Sequence, residues 1–200
     1  MIGEFFTWAV RLFTGVQARW RGAQPLERQR IYFANHTSNL DFLVLWSVLP
    51  RHLRCKTRPI AAHDYWTAGP IRRWLAEHVF RGVLIERKAV TRANNPLNLM
   101  IQALQEGSSL IIFPEGGRAT EGVMKPFKSG IYHLSKALRG LELVPVYIDN
   151  ASRVLPKGES LPIPIVCSVT FGSPLRLEEG ETKEVFLIRA RAAVEACRDA

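Results

Sequence analysis

The spacing of apolar positions changes period along the chain. Near the N-terminus it is helical: Ile2, Phe5, Phe6, Ala9, Phe13, Val16 and Trp20 fall within an arc of about 100°, with Arg11 and Ala18 nearly opposite. This predicts an amphipathic helix over residues 2–20, with Arg19 and Arg21 at the end where positive charge suits the helix dipole. A surface helix packed on its own domain and a helix lying in a membrane interface both carry such a pattern, and the sequence alone does not separate them. Beyond Arg30 short β-prone runs take over, at Arg30–Ala34, Arg58–Ala62, Arg81–Ile85, Ser109–Phe113, Val144–Ile148 and Ile163–Phe171. Helical stretches with their own start and stop signals separate them. Asn95-Pro96 supplies an N-cap and a first-turn proline for a helix that Gly107 stops, and Pro70 and Thr182 open Ile71–Phe80 and Lys183–Arg198. Alternating strands and helices define an α/β fold. The expectation is a mostly parallel or mixed sheet of six or seven strands flanked by helices, forming one domain over 25–200 behind an N-terminal amphipathic helix within 1–24.

Composition fits one domain with a substantial core, because 47% of the 200 residues are apolar and 22% charged, which excludes a disordered chain. Three well-separated cysteines, Cys55, Cys167 and Cys197, suit reduced thiols better than a disulfide framework. No apolar window reaches the roughly 18 residues of a membrane span. The stretch Phe42 to Pro50 is too short, and Leu161 to Leu175 is broken by Pro162, Pro164 and Pro174. With Glu4 as the first charge, the N-terminus does not read as a secretory signal. Charge adds a direction. Residues 1–100 hold 15 basic and 6 acidic side chains against 12 and 12 in the second half, so the net +9 lies in the first half and calls for an anionic partner there.

Three runs offer chemistry. In Asn35-His36-Thr37-Ser38-Asn39-Leu40-Asp41, Ser38-x-x-Asp41 reads as a capping box before a helix, with His36 a loop residue. The same run also admits a dyad. On a continuous helix His36 and Asp41 would lie about 140° apart, so they meet only if His36 precedes the first turn, which is where the capping signal puts it. Asp41 would then hold one imidazole nitrogen and leave the other as a general base. The second run, Phe113-Pro114-Glu115-Gly116-Gly117-Arg118, follows a strand; it is either a plain turn or a place where glycines admit an oxyanion or phosphate beside Arg118. The third, Gly82 to Arg87, is an ordinary strand end or one that aims Arg87 at phosphate. At strand ends of an α/β sheet these loops converge on one crevice.

Asn-His-x-x-x-x-Asp, then a strand ending in Arg, then Phe-Pro-Glu-Gly-x-Arg, then Val144-Pro145-Val146, resembles the glycerolipid acyltransferase family typified by lysophosphatidic acid acyltransferases, over about residues 30–150. The resemblance implies acyl transfer from acyl-CoA or acyl-carrier protein to a hydroxyl of a lysophospholipid acceptor, most simply 1-acylglycerol-3-phosphate, with no other cofactor. It implies His36 as base, Asp41 as its partner, and Arg87, Glu115, Gly116 and Arg118 in the acceptor site. It also places the protein peripherally on the cytoplasmic face of a membrane, and the basic residues in and near the amphipathic helix, Arg11, Arg19, Arg21, Arg28 and Arg30, are then the ones expected to face an anionic bilayer. Two positions depart from the family pattern: Gly117 stands where Thr or Ser is common, and Ala62 where many members carry Lys. Both bear on the acceptor's head group, which leaves room for another lyso-lipid such as an amino-acid lipid. A basic nucleic-acid-binding module is the rival, but no zinc-finger spacing, RNP-like strand or helix-turn-helix supports it, and no nucleic-acid partner is expected. His52-x-x-Cys55 with His63 lacks a fourth ligand, so no metal site is expected.

Overall fold

A computed structural model describes residues 2–86, 91, 94–119, 123–154 and 166–198. Seven strands, β1 (Gln17–Trp20), β2 (Arg30–Ala34), β3 (Thr57–Ala62), β4 (Val83–Ile85), β5 (Ser109–Ile112), β6 (Glu142–Asp149) and β7 (Ser168–Phe171), form one sheet in the order β1-β7-β6-β2-β5-β3-β4. All neighbours run parallel except β6 and β7, so the sheet is mixed. β2 lies at its centre and is buried at every position: Tyr32 and Ala34 enter one core, Ile31 and Phe33 the other. A strand buried on both faces must read as a continuous apolar run, and Ile31–Ala34 does.

The helices divide between the faces. On one face lie α1 (Ile2–Thr14) and α2 (Asp41–Val48), followed by the short α3 (Arg51–Arg54), α4 (His63–Trp66) and α5 (Pro70–Trp74). α5 runs on as a wide π-turn over Leu75–Val79, so the helix expected over Ile71–Phe80 is real but changes its hydrogen-bond period halfway. The other face carries α6 (Pro96–Gln105), α7 (Gly130–Ala137) and, after the short α8 (Ala151–Val154), α9 (Lys183–Ala196). The expected caps form: Asn95 accepts from the Leu97 N–H and Thr182 from that of Val185.

The N-terminal helix is shorter than its apolar period suggests. Gly15, at φ +53°, closes it with a bond from its N–H to the Arg11 carbonyl, a left-handed cap that glycine adopts without strain. Residues 17–20 then pair with β7, and Trp20 stacks on Phe171 at 3.9 Å rather than extending the helix. Of the strand expected over Ile163–Phe171, Ser168–Phe171 is a strand and residues 163–165 lie outside the described set.

α1 turns only part of its apolar surface inward, through Phe6 against Phe80 and Val10 against the core. Thr7 and Thr14 are buried, their hydroxyls donating to the Gly3 and Val10 carbonyls, and Arg11 reaches inward to the Ser47 carbonyl at 2.6 Å. Phe5, Trp8 and Leu12 project outward with about 60% of their surface exposed. Arg11, although exposed, has its guanidinium engaged by the Ser47 carbonyl. Arg30 is not directed at a bilayer: it is buried and held by Glu142 at 2.9 Å and the Gln24 carbonyl at 2.6 Å.

Candidate functional site

Loop by loop, the carboxyl edge of the sheet builds one cleft. β3 pairs with β5 through Pro59 and with β4 from Ile60 onward. Proline has no N–H to extend the ladder, so the ends of β3 and β5 part there and open a gap between their faces. His36, immediately after β2, sits over this gap with its ring stacked on Phe113 at 4.6 Å.

Asp41 is fully buried at the start of α2, and its Oδ2 accepts from His36 Nδ1 at 2.8 Å and from the backbone N–H groups of Thr37 at 2.6 Å and Ser38 at 2.8 Å. The loop thus curls around the carboxylate. This is half of the expected capping box: Asp41 reaches back to the Ser38 N–H, but the Ser38 hydroxyl accepts from Leu40 instead of capping the helix. With Nδ1 donating to an acceptor-only carboxylate, Nε2 is left as the basic nitrogen.

Glu115 is placed differently from the acceptor contact expected of it. It is buried, and its two oxygens accept from the backbone N–H groups of His36 and Lys125, both at 2.8 Å. It ties the histidine loop to the Gly116–Gly117 turn, and the Ala119 N–H adds a bond to the His36 carbonyl at 2.7 Å. Gly116 has φ +69°, a left-handed conformation that favours glycine, and the exposed Lys128 side chain lies across it. The Gly116 N–H bonds to the Phe113 carbonyl, so an oxyanion donor would have to come from elsewhere on the turn. Arg118 lines the cleft with His36, while Arg87 lies outside the described residues.

Two cavities meet at His36, Phe113 and Gly117. One, of about 250 Å³, is aromatic, with Phe42, Trp66 and Phe80 in its wall and Arg118 at its rim. The other, of about 380 Å³, opens toward α6 and α7, is lined by aliphatic groups such as Ile85, Met100 and Leu134, and has Lys128 at its edge. Lys128 and Asn35 were not legible as site residues. Asn35 clamps the end of β2 to β6 by exchanging two hydrogen bonds with Ile148, at 2.8 and 3.0 Å, which fixes where the histidine loop begins.

Together these features define an α/β protein with a buried carboxylate holding a histidine over a two-chambered apolar cleft. The Acyltransferase family model matches residues 17–149, and the chain belongs to that family. It is 32% identical over 146 residues to the sheep 1-acyl-sn-glycerol-3-phosphate acyltransferase alpha, covering 70% of this chain and 48% of that one. To the Limnanthes douglasii 1-acyl-sn-glycerol-3-phosphate acyltransferase it is 25% identical over 186 residues, covering 90% and 60%. The chain thus spans about half the length of the mammalian relatives it matches. The fold matches the crystal structure of the 1-acyl-sn-glycerophosphate acyltransferase PlsC from Thermotoga maritima with a TM-score of 0.78, at 21% identity, over 99% of this chain and 78% of that one.

Proposed function

We propose that this acyltransferase works at a membrane surface, moving a fatty acyl chain from acyl-CoA or acyl-carrier protein to the hydroxyl of a lysophospholipid, in the first instance 1-acylglycerol-3-phosphate. The observation that carries the reading is the His36 ring, held by buried Asp41 at the junction of two apolar chambers. A reaction joining an acyl chain to a lipid needs a base where two apolar ligands meet. His36 Nε2 takes the acceptor's hydroxyl proton as the oxygen attacks the thioester carbonyl. The tetrahedral intermediate collapses with loss of the thiolate, and the imidazolium returns its proton to that sulfur, giving ester and free thiol. The thioester is already activated, so no covalent enzyme intermediate and no cofactor are required. Asp41 fixes the tautomer and stabilises the imidazolium, and Arg118 meets the acceptor's phosphate.

The outward apolar face of α1 supports peripheral membrane attachment, which we place on the cytoplasmic side. Among the described residues no helix is long and apolar enough to cross a membrane. Ala62 and Gly117, the two departures from the family pattern, both line both chambers, which favours as second reading an acceptor with another head group. The test is thiol release and product mass with each donor against a panel of lyso-lipids in vesicles. Lysophosphatidate should be acylated, and Arg118→Ala should raise its KM without affecting a phosphate-free acceptor. Acylation confined to phosphate-free acceptors would select the second reading.

A further inference from the structure

We infer that α5, with the neighbouring Tyr65 ring, is a second lipid-contacting element beside α1, so that the aromatic chamber opens onto the bilayer surface. The inference rests on the reading that the substrates are lipids, and it concerns residues that no motif singled out.

α5 has five residues and buries none of them. Ile71 is 74% exposed, Trp74 43% and Tyr65 40%. Arg72 and Arg73 lie between the two apolar side chains, and the Arg72 guanidinium sits 4.8 Å over the Tyr65 ring. Large apolar groups clustered on a surface mark a contact site. Tryptophan and isoleucine interleaved with arginine match the boundary between acyl chains and head groups, where the indole and guanidinium meet water and phosphate.

This patch lies on the same side of the sheet as α1. The ring of Phe6, from α1, packs edge-on against Phe80 at 6.0 Å, and a Cβ at Gly3 would come within 3.9 Å of Val79. The outward Phe5 and Trp8 and the exposed Ile71 and Trp74 therefore belong to neighbouring elements on one face. The π-turn matters here: the Phe80 N–H bonds five residues back to Leu75, and the segment buries Ala76 and Phe80 against the chamber while Trp74 stays outside. One short segment thus supplies both the chamber wall, through Tyr65, Trp66 and Phe80, and the apolar surface next to it. An acyl chain entering past Tyr65 would reach His36 without crossing bulk water.

Charge selects the occupant. From α4 to Arg81 the segment carries Arg72, Arg73 and Arg81 against Asp64 and Glu77, the latter paired with Arg73 at 2.8 Å, and it lies in the half of the chain that holds the whole net positive charge. An anionic leaflet gains from each such cation near its surface, whereas a second copy of the same basic face would repel.

The test uses the full chain carrying Ile71→Ser and Trp74→Ser, neither of which lines the chamber. Partition onto phosphatidylcholine vesicles, with and without phosphatidylglycerol, should fall about tenfold or more, given the apolar area withdrawn from lipid. Turnover of a vesicle-embedded lysophospholipid should fall with it, while kcat/KM for a short-chain, water-soluble acceptor with the same head group stays at the wild-type value. Unchanged partition would overturn the inference, as would equal losses on both acceptors, which would make the segment purely structural. A patch used between copies would show as wild-type self-association abolished in the variant with partition unchanged, and would also overturn it. Should the double variant fold poorly, Ile71→Cys in a Cys55→Ser background, labelled with an environment-sensitive dye, reads the same contact: a blue shift on anionic vesicles supports it and none refutes it. Loss of partition in a protein whose wild type acylates no lysophospholipid would refute the proposed function and leave the lipid contact standing.

Discussion

Replacing Glu115 by Gln keeps the side chain's shape and removes one acceptor. In the native protein both carboxylate oxygens take backbone N–H groups, those of His36 and Lys125, and the residue is 4% exposed. Glutamine offers one oxygen and one NH2, so in either orientation an NH2 faces a backbone N–H and leaves it without an acceptor. A hydrogen bond to a charged acceptor contributes about 1.5–3 kcal/mol and one to a neutral acceptor about 0.5–1.5 kcal/mol. Losing one bond and weakening the other amounts to about 3 kcal/mol, and relief from burying a carboxylate returns part of it, leaving a net destabilisation of about 2 kcal/mol. In urea, with a slope of about 2 kcal/mol/M, the unfolding midpoint should drop by about 1 M. Because either the lost or the weakened bond is the one that holds the His36 backbone, kcat should fall while the acceptor KM changes little. A wild-type midpoint together with a raised acceptor KM would refute the reasoning, since it would mean that the carboxylate meets the acceptor and does not brace the loops.

Asp41→Asn should slow acyl transfer by about 10²-fold or more without unfolding the protein, because the Thr37 and Ser38 N–H groups keep the amide oxygen in place and only the charge is lost. His36→Ala should abolish transfer; wild-type thiol release from either purified variant would remove the pair from the mechanism. Burial pushes the Cys197 thiol up to about 11, and burial with the charges of Asp149 and Asp41 does the same for Cys167, whereas Cys55 is exposed. At mildly alkaline pH a disulfide reagent should therefore modify Cys55 quickly and the other two only on unfolding; fast reaction of all three would contradict the burial. Burial works against the Glu142 carboxylate, but hydrogen bonds and charge from Arg30, with Arg176 and Arg28, outweigh it and hold its pKa below the usual range. A folded pKa below the unfolded one stabilises above the ordinary carboxylate range and is lost as pH falls through the folded value. Unfolding midpoints measured against pH should thus decline less steeply in acid for Glu142→Gln than for the wild type; identical slopes would rule the cluster out.

The strands were legible because burial on both faces leaves little choice of residue. Arg30–Ala34 has the boundaries its apolar run predicts, and Ser109–Ile112 differs by one residue from the expected end at Phe113. β1 was not legible, because Gln17–Trp20 is a short edge strand with three exposed positions, and its Trp20 happened to continue the helical period of α1. What made it a strand is a partner distant in sequence, β7, together with the stacking of Trp20 on Phe171. The apolar period of a helix shows how unequal its two sides are and not which side the protein keeps. In α1 the inward side mixes small and polar residues, Gly3, Thr7 and Thr14, with Phe6 and Val10, so the apolar arc and the buried side do not coincide.

The histidine and its carboxylate could be found from spacing because both lie within one loop and the first turn of the helix after it, where local geometry decides whether they meet. Glu115 could not be assigned in the same way. Its oxygens face the His36 N–H, 79 positions away, and the Lys125 N–H, 10 positions on, and nothing in Phe-Pro-Glu-Gly-Gly-Arg tells a glutamate turned into the protein from one turned into the cleft. The outcome depends on an accounting of donors that exists only after folding: the His36 N–H lies buried at the end of β2, beyond the last strand pair, and needs an acceptor. A loop that carries a base at the end of a central strand leaves such donors behind, and a buried carboxylate from the adjacent strand's loop satisfies two of them at once while fixing the two loops to each other. On that reasoning the conservative variant Glu115→Asp, one methylene shorter, should reach only one of the two donors while still burying a charge, and its stability should fall below the wild type's by at least as much as that of Glu115→Gln. An aspartate variant as stable as the wild type would show that the spacing of the loops is not set by this side chain.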